Sequence, residues 1–409
     1  MPAKPGAWSL FRAAVGGALA LSLGIGLGLA FAAPNAAAPP KKDEFQTPAP
    51  MAYLIDADTG TILFEKNADQ LMAPSSMAKL MTAEVVFHEL KLGHITPDTE
   101  FEVSEYAWRH GGAPSHTSSM FAPIHSHARV QDLLTSVIVQ SGNDACIALA
   151  EGIAGSEDKF AAMMTKRARE LGLEKSYFAN STGLPDPTEV MTPREIAKLA
   201  QYIIKTYPDL YPMFAQKEFT WNKIRQQNQN PLLGMDIGAD GLKIGGSEEA
   251  GFGLVGSAVH DGLRLIGVVA GLKTSAERAS EGRKLIDWGF RGFDHRALFA
   301  EGESIGDARL YGGAQFSVPL AAPGAVSLLV PRGSTDRILA RIVYTGPVRA
   351  PVQQGQPIGT LRVWRGDNMV LEVPLHAAQT VMRGGLPRRA LDAVAEFVIG
   401  LFLSKTKQI

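Results

Sequence analysis

The stretch Ala73-Pro74-Ser75-Ser76-Met77-Ala78-Lys79-Leu80-Met81-Thr82 decides how the rest of the chain is read. Pro74 precedes residues 75–90, in which Met77, Leu80, Met81 and Val85 recur at helical spacing, so a helix with one apolar face begins here. Three residues separate Ser76 from Lys79, just under one helical turn, and the hydroxyl and amine therefore share a face. That pairing suits an amine removing a hydroxyl proton, provided burial or a nearby cation lowers the lysine pKa from about 10.4 toward neutrality. Alone, Ser-x-x-Lys is weak evidence, because a helix start with a solvated lysine carries the same letters.

Two further polar patches lie downstream. Ser141-Gly142-Asn143 separates two helical stretches, residues 130–139 and 145–153, where a loop can present both polar side chains. An amide there can hold a substrate carbonyl or orient the lysine, and a second hydroxyl can relay a proton to a leaving amine. The same tripeptide is also an ordinary turn. Lys243-Ile244-Gly245 enters a strand region that opens at Leu242. A strand-edge lysine can attract a carboxylate, and the glycine admits a substrate backbone. The plain alternative is a solvated edge lysine.

Working outward, residues 53–56 and 61–64 are β-rich and flank Asp58-Thr59-Gly60, which predicts a hairpin. Residues 159–171 and 193–206 predict further helices, and residues 252–259 and 263–271 predict a second hairpin around His260-Asp261-Gly262. A helix over about 276–290 follows. The hairpins sit at both ends of this region, so their strands are expected to pair in one sheet. Beyond Asp294 the pattern changes to short strands at 315–319, 326–331, 338–345, 360–364 and 369–374, which predict a small sandwich or barrel.

The chain of 409 residues is 45% hydrophobic and 20% charged, which fits two or three packed domains. Forty Lys and Arg against 41 Asp and Glu leave a net charge of -1 and no basic face for displacing counterions, so nucleic-acid binding is disfavoured. The single cysteine, Cys146, excludes an intramolecular disulfide and reads as a packed core thiol. His110, His116, His125 and His127 lack the two-His helical spacing with a carboxylate that zinc sites use, and read as surface residues; no metal or other cofactor is expected.

The ends predict a destination. Lys4 and Arg12, an uncharged run over residues 13–31 and the Ala30-Phe31-Ala32 pattern predict a signal peptide over residues 1–32, the alternative being an uncleaved anchor of about 20 residues. Losing Lys4 and Arg12 moves the net charge from -1 to -3. Residues 33–50, rich in Ala and Pro, read as a linker. In residues 386–409, Leu391, Val394, Ala395, Val398 and Phe402 share one helical face, opposite Arg389, Asp392 and Glu396. Such a helix, flanked by Arg388, Lys405 and Lys407, is expected to lie on a membrane surface; the alternative is docking on its own domain.

In order, Ser76-x-x-Lys79, Ser141-x-Asn143 and Lys243-x-Gly245 resemble the active-site triplet of the penicillin-recognising serine acyl-transferases. Around them, Ser141-Gly142-Asn143-Asp144-Ala145, Thr182-Gly183-Leu184-Pro185-Asp186 and Asp240-Gly241-Leu242-Lys243 look like the exported serine D-alanyl-D-alanine carboxypeptidases, the low-molecular-mass penicillin-binding proteins. Ile358-Gly359-Thr360-Leu361 and Glu372-Val373-Pro374-Leu375 look like that family's C-terminal β domain, and the terminal helix is similar to its membrane anchor. The resemblance implies an α+β chain: a β-lactamase/transpeptidase-like catalytic domain over residues 51–293, a small all-β domain over 294–385 and the amphipathic helix over 386–409. It implies a periplasmic enzyme, peripheral on the outer face of the cytoplasmic membrane, that removes the terminal D-Ala from peptidoglycan stem peptides and is acylated by β-lactams.

By that analogy Ser76 attacks the penultimate carbonyl, Lys79 takes its proton, Ser141 or Lys243 supplies one to the leaving D-Ala, and Asn143 holds the substrate amide, while Lys243, Gly245 and Ser247 bind substrate. Ile244 departs from the family, which has Thr there. A hydroxyl donor to the substrate carboxylate is lost, worth about 1.5–3 kcal/mol, or roughly tenfold to a hundredfold. Gly246-Ser247 also replaces the usual His-Thr, although Ser247 keeps a hydroxyl. Ile244 therefore motivates a second reading, a catalytically impaired peptidoglycan-binding protein. A serine β-lactamase is the third, for which no class A glutamate motif can be assigned between the second and third elements.

Overall fold

A computed structural model of the chain describes residues 45–390 and 392–393. The opening hairpin, β1 (Met51–Asp56) and β2 (Ile62–Lys66), forms as predicted. A 3-10 turn, Ser75–Ala78, then runs into α1 (Lys79–Leu92), so Ser76 lies on this tighter turn and not in the first turn of the α-helix. Short strands β3 (Glu100–Glu102) and β4 (His127–Arg129) pair around the segment containing α2 (Glu105–Gly111). Four helices follow: α3 (Val130–Val139), α4 (Asn143–Ala154), α5 (Glu157–Glu170) and α6 (Pro193–Thr206). Helix α6 starts sharply because Thr192 Oγ1 accepts the Glu195 amide at 3.2 Å and Pro193 needs no partner at the first helical position.

A small hairpin, β5 (Glu218–Trp221) and β6 (Ile224–Gln227), precedes β7 (Ala239–Ser247), β8 (Gly251–His260) and β9 (Leu263–Leu272). These last three join the opening hairpin in one antiparallel sheet of order β2-β1-β9-β8-β7, so the first and last strands of the region do pair. Side chains alternate across it. Tyr53, Ile55, Val255, Ile266 and Val268 face the helical cluster of α1 and α3 to α6, while Ala52, Leu54, Leu254, Leu265 and Val269 face α7 (Ser275–Gly292). Covered on both sides, β1 is buried at all six positions.

Strand β10 (Phe293–Phe299) leaves α7 directly and pairs with β13 (Val326–Pro331). The other strands, β11 (Gly306–Tyr311), β12 (Ser317–Ala321), β14 (Ile338–Tyr344), β15 (Val348–Arg349), β16 (Pro357–Arg365) and β17 (Asn368–Ala377), form a sheet of order β14-β16-β17-β12-β11-β15. Its core holds Val318, Leu320, Leu328, Leu361, Val363, Leu371 and Leu375. The chain is therefore α+β, with an all-β second domain. The predicted signal peptide, most of the linker and most of the terminal helix lie outside the described residues. Residues 386–390 are helical, and no described helix is long and apolar enough to cross a membrane.

Candidate active site

Lys79, at 1% exposure, is buried beside the serine: its Nζ donates to Ser76 Oγ at 3.2 Å and to the Thr182 carbonyl oxygen. Burial pushes the amine's pKa down, against an opposing pull from Cys146, Glu189 and Glu157. An uncharged amine at this distance can take the hydroxyl proton.

The turn is held by its neighbours. Ser75 adopts φ +48°, a left-handed conformation uncommon outside glycine and one that persists only where packing enforces it. Gly183 (φ +72°) is pressed against it, and a Cβ there would lie 2.0 Å from the Ser75 carbonyl oxygen. Asn180 Oδ1 shapes that loop by accepting from Thr182 N, Thr182 Oγ1 and Gly183 N at 3.0, 2.6 and 2.8 Å. The Thr-Gly motif thus positions both the serine turn and the carbonyl that faces Lys79.

In the second patch Ser141 is buried at φ +65°, and its Oγ has no partner among the described residues. The sequence reading placed Asn143 in the same loop, but it is the first residue of α4. Its Nδ2 donates to Thr117 Oγ1 at 2.9 Å, while its Oδ1 is also unpartnered. Asp144 anchors the facing loop, accepting from Ser119 Oγ at 2.8 Å, Met120 N at 2.7 Å and Ala122 N at 3.2 Å. Buried polar atoms without partners are rare, and two of them two residues apart suit a site that binds a polar group.

Lys243 is no solvated edge lysine. At 3% exposure its Nζ donates to the carbonyls of Val137 and Ile138, at 2.8 and 3.0 Å, capping the end of α3 just before Ser141. Burial, and then the nearby charge of Lys79, hold its pKa well below the usual lysine range. On the same strand, a Cβ at Gly245 would lie 2.7 Å from the Pro74 carbonyl and 3.0 Å from Met77 N, so glycine lets β7 press against the serine turn. The three patches therefore converge. Ile244 packs with the α7 cluster, and Ser247 Oγ accepts the Ala250 amide at 3.0 Å in the β7–β8 turn.

The sequence reading missed Arg278. It lies on α7 at 9% exposure, with Nη1 3.5 Å from the Gly245 carbonyl oxygen, its guanidinium 5.8 Å from the Phe252 ring centre and Nε without a partner among the described residues. Burial lowers its pKa, and among the described residues no carboxylate pairs with it. A signal was present: Arg278 falls in register with Gly282, Leu285, Ile286 and Gly289, the buried stripe of α7.

Residues 35–274 match the D-alanyl-D-alanine carboxypeptidase family, and residues 293–383 match the penicillin-binding protein 5 C-terminal domain. The chain belongs to this carboxypeptidase family. The enzyme is 38% identical over 344 residues to D-alanyl-D-alanine carboxypeptidase DacC of Escherichia coli (strain K12), covering 83% of this chain and 86% of that one. It is 31% identical to DacF of Bacillus subtilis (strain 168), covering 84% and 89%. The structure of penicillin-binding protein 5 from Haemophilus influenzae superposes with a TM-score of 0.71 at 34% identity, over 85% of this chain and all of that one. The carboxypeptidase is thus a serine-type hydrolase of the cell wall, as its motifs implied.

Proposed function

We propose that Ser76 is the nucleophile of an acyl-enzyme mechanism on stem peptides ending in D-Ala-D-Ala. The observation that carries this is the buried Lys79 amine, 3.2 Å from the Ser76 hydroxyl. Ser76 Oγ attacks the carbonyl of the penultimate D-Ala as Lys79 Nζ takes its proton. Backbone amides that include Ser76 N stabilise the oxyanion, each such donor being worth about 3–4 kcal/mol. The C–N bond then breaks. The amine of the terminal D-Ala leaves with a proton relayed through Ser141 or Lys243, and Asn143 Oδ1 accepts from the substrate amide. Water hydrolyses the resulting ester to release the shortened peptide and free Ser76. A β-lactam follows the same path as far as its ring-opened ester, which resists water.

Lys243, Gly245 and Ser247 line the substrate edge of β7. Arg278 supplies the charge for the substrate's terminal carboxylate, the task that the hydroxyl missing at Ile244 would share. We place the catalytic domain at residues 51–293, the β domain at 294–385 and the signal peptide at 1–32. The enzyme works in the periplasm, on the outer face of the cytoplasmic membrane, held there by residues 386–409. Removing that segment is expected to shift the protein from the membrane to the soluble fraction.

Mass spectrometry after incubation with a penicillin tests the nucleophile: a stable adduct on Ser76 is expected. No adduct would sink the acylating mechanism and favour the impaired wall-binding protein that Ile244 suggests, and a short-lived adduct with rapid β-lactam turnover would indicate a β-lactamase. Ile244→Thr is expected to speed D-Ala release from a pentapeptide, by up to roughly tenfold if the added hydroxyl reaches the carboxylate. An equal or lower rate would show that the missing donor is already compensated. Arg278→Gln is expected to raise KM about tenfold or more with little change in kcat, the pattern of a lost interaction made equally in ground and transition states. A KM that stays constant would discard Arg278 as the carboxylate's partner.

A further inference from the structure

Near Lys79 lies a buried carboxylate that the mechanism above does not use. Glu189 is 3% exposed. Its Oε2 accepts from the amides of Ala179 and Asn180, both at 3.2 Å, and its Oε1 has no partner among the described residues. Asn180 in turn binds the Thr182 and Gly183 amides, and the Thr182 carbonyl accepts from Lys79 Nζ. The path from Glu189 to the catalytic amine is thus continuous.

We infer that Glu189 is a positioning residue for Lys79, a buried carboxylate that both holds the segment presenting the Thr182 carbonyl and governs how readily the amine gives up its proton. The inference rests on the reading of Lys79 as the base.

Other charges surround the pair. Glu157, from α5, grips the same segment from its own side, Oε1 accepting Ser181 N at 3.1 Å and Ser181 Oγ at 2.7 Å, and its Oε2 accepts Tyr106 OH at 3.1 Å. Cys146 and Lys243 also face Lys79, and Asp186 faces Glu189. Glu189 differs from Glu157 in having one buried oxygen without a partner among the described residues. Burial pushes its carboxyl up to about 7, against the two amide donors and the Lys79 charge. As pH rises through that value Glu189 becomes anionic, and an anion near Lys79 favours the protonated amine, the form that cannot act as base. Below that value a neutral Glu189 releases the constraint. The two groups therefore titrate as a pair.

The test is the pH profile of D-Ala release by the full chain. Glu189→Gln keeps an oxygen for the two amides and removes the charge. Its acid limb is expected to move to lower pH, raising the ratio of kcat/KM at about pH 8 to that at about pH 6 roughly threefold or more over wild type. A profile that superimposes on the wild type would overturn the inference and leave Glu189 a purely structural acceptor. A reciprocal measurement needs no variant at position 189. Coupling acts equally on both partners, so in Lys79→Met the titration midpoint of the isotope-labelled Glu189 carboxyl, followed by NMR, is expected to rise. An unchanged midpoint would also overturn it. Absence of a penicillin adduct on wild-type Ser76 would instead remove the mechanism beneath both.

Discussion

Ser76→Ala is expected to lower kcat for D-Ala release by about 10⁴-fold or more, because the oxygen activated by Lys79 is lost. The fold should survive. Ser76 is half-buried on the 3-10 turn, and the hydroxyl removed accepts from Lys79, which keeps the Thr182 carbonyl as a partner. The other candidate nucleophile nearby, Cys146, is buried, and that burial pushes its thiol up to about 12, so it offers no thiolate at neutral pH. Release of D-Ala by the alanine variant within tenfold of wild type, measured on the same pentapeptide, would mean that the ester forms elsewhere.

Lys79→Met carries the second large effect and leaves a signature in stability. Losing the general base is expected to cost about 10²- to 10⁴-fold in kcat. The stability effect follows from where protons bind. Unfolded, the lysine titrates near 10.4; folded, burial lowers its pKa. As pH falls from about 10.4 toward the folded value, the unfolded chain takes up a proton that the native chain excludes, so wild-type stability declines across that window. Methionine has no proton to exchange. The melting temperature of the variant relative to wild type should therefore be more favourable at pH 7 than near pH 10.5. A difference independent of pH would mean that Lys79 is as easily protonated in the folded protein as in the unfolded one.

Much of this architecture is written in local periodicity. Helices α3 and α6 begin and end where apolar spacing, Pro193 and the Thr192 cap place them, and the hairpin ends of the catalytic domain pair as their strand patterns suggest. The misses have physical causes. Strand β10, Phe-Asp-His-Arg-Ala-Leu-Phe, is mostly exposed and lacks the alternation that marks a half-buried strand, and β15 is only two residues long. The chemistry was legible as three motifs, because Ser76, Lys79, Ser141, Asn143 and Lys243 lie in recognisable short spacings. Tertiary convergence is what spacing cannot convey. Lys243 reads as an edge lysine until α3 is seen to end on it, and Glu189 and Arg278 acquire meaning only once neighbours from distant sequence bury them without full satisfaction.

The order β2-β1-β9-β8-β7 has a consequence for biosynthesis. Strand β1 is complete by Asp56, yet its second neighbour, β9, ends at Leu272. Long-range pairings of this kind form late and slowly. A chain still emerging from the ribosome, with Ser76 and Lys79 already made, lacks the strand that shields the opening hairpin and, until residue 243, the cation that closes α3. Hydrolytic competence therefore cannot arrive before Leu272 is made, and until then the growing polypeptide carries its nucleophile unarmed.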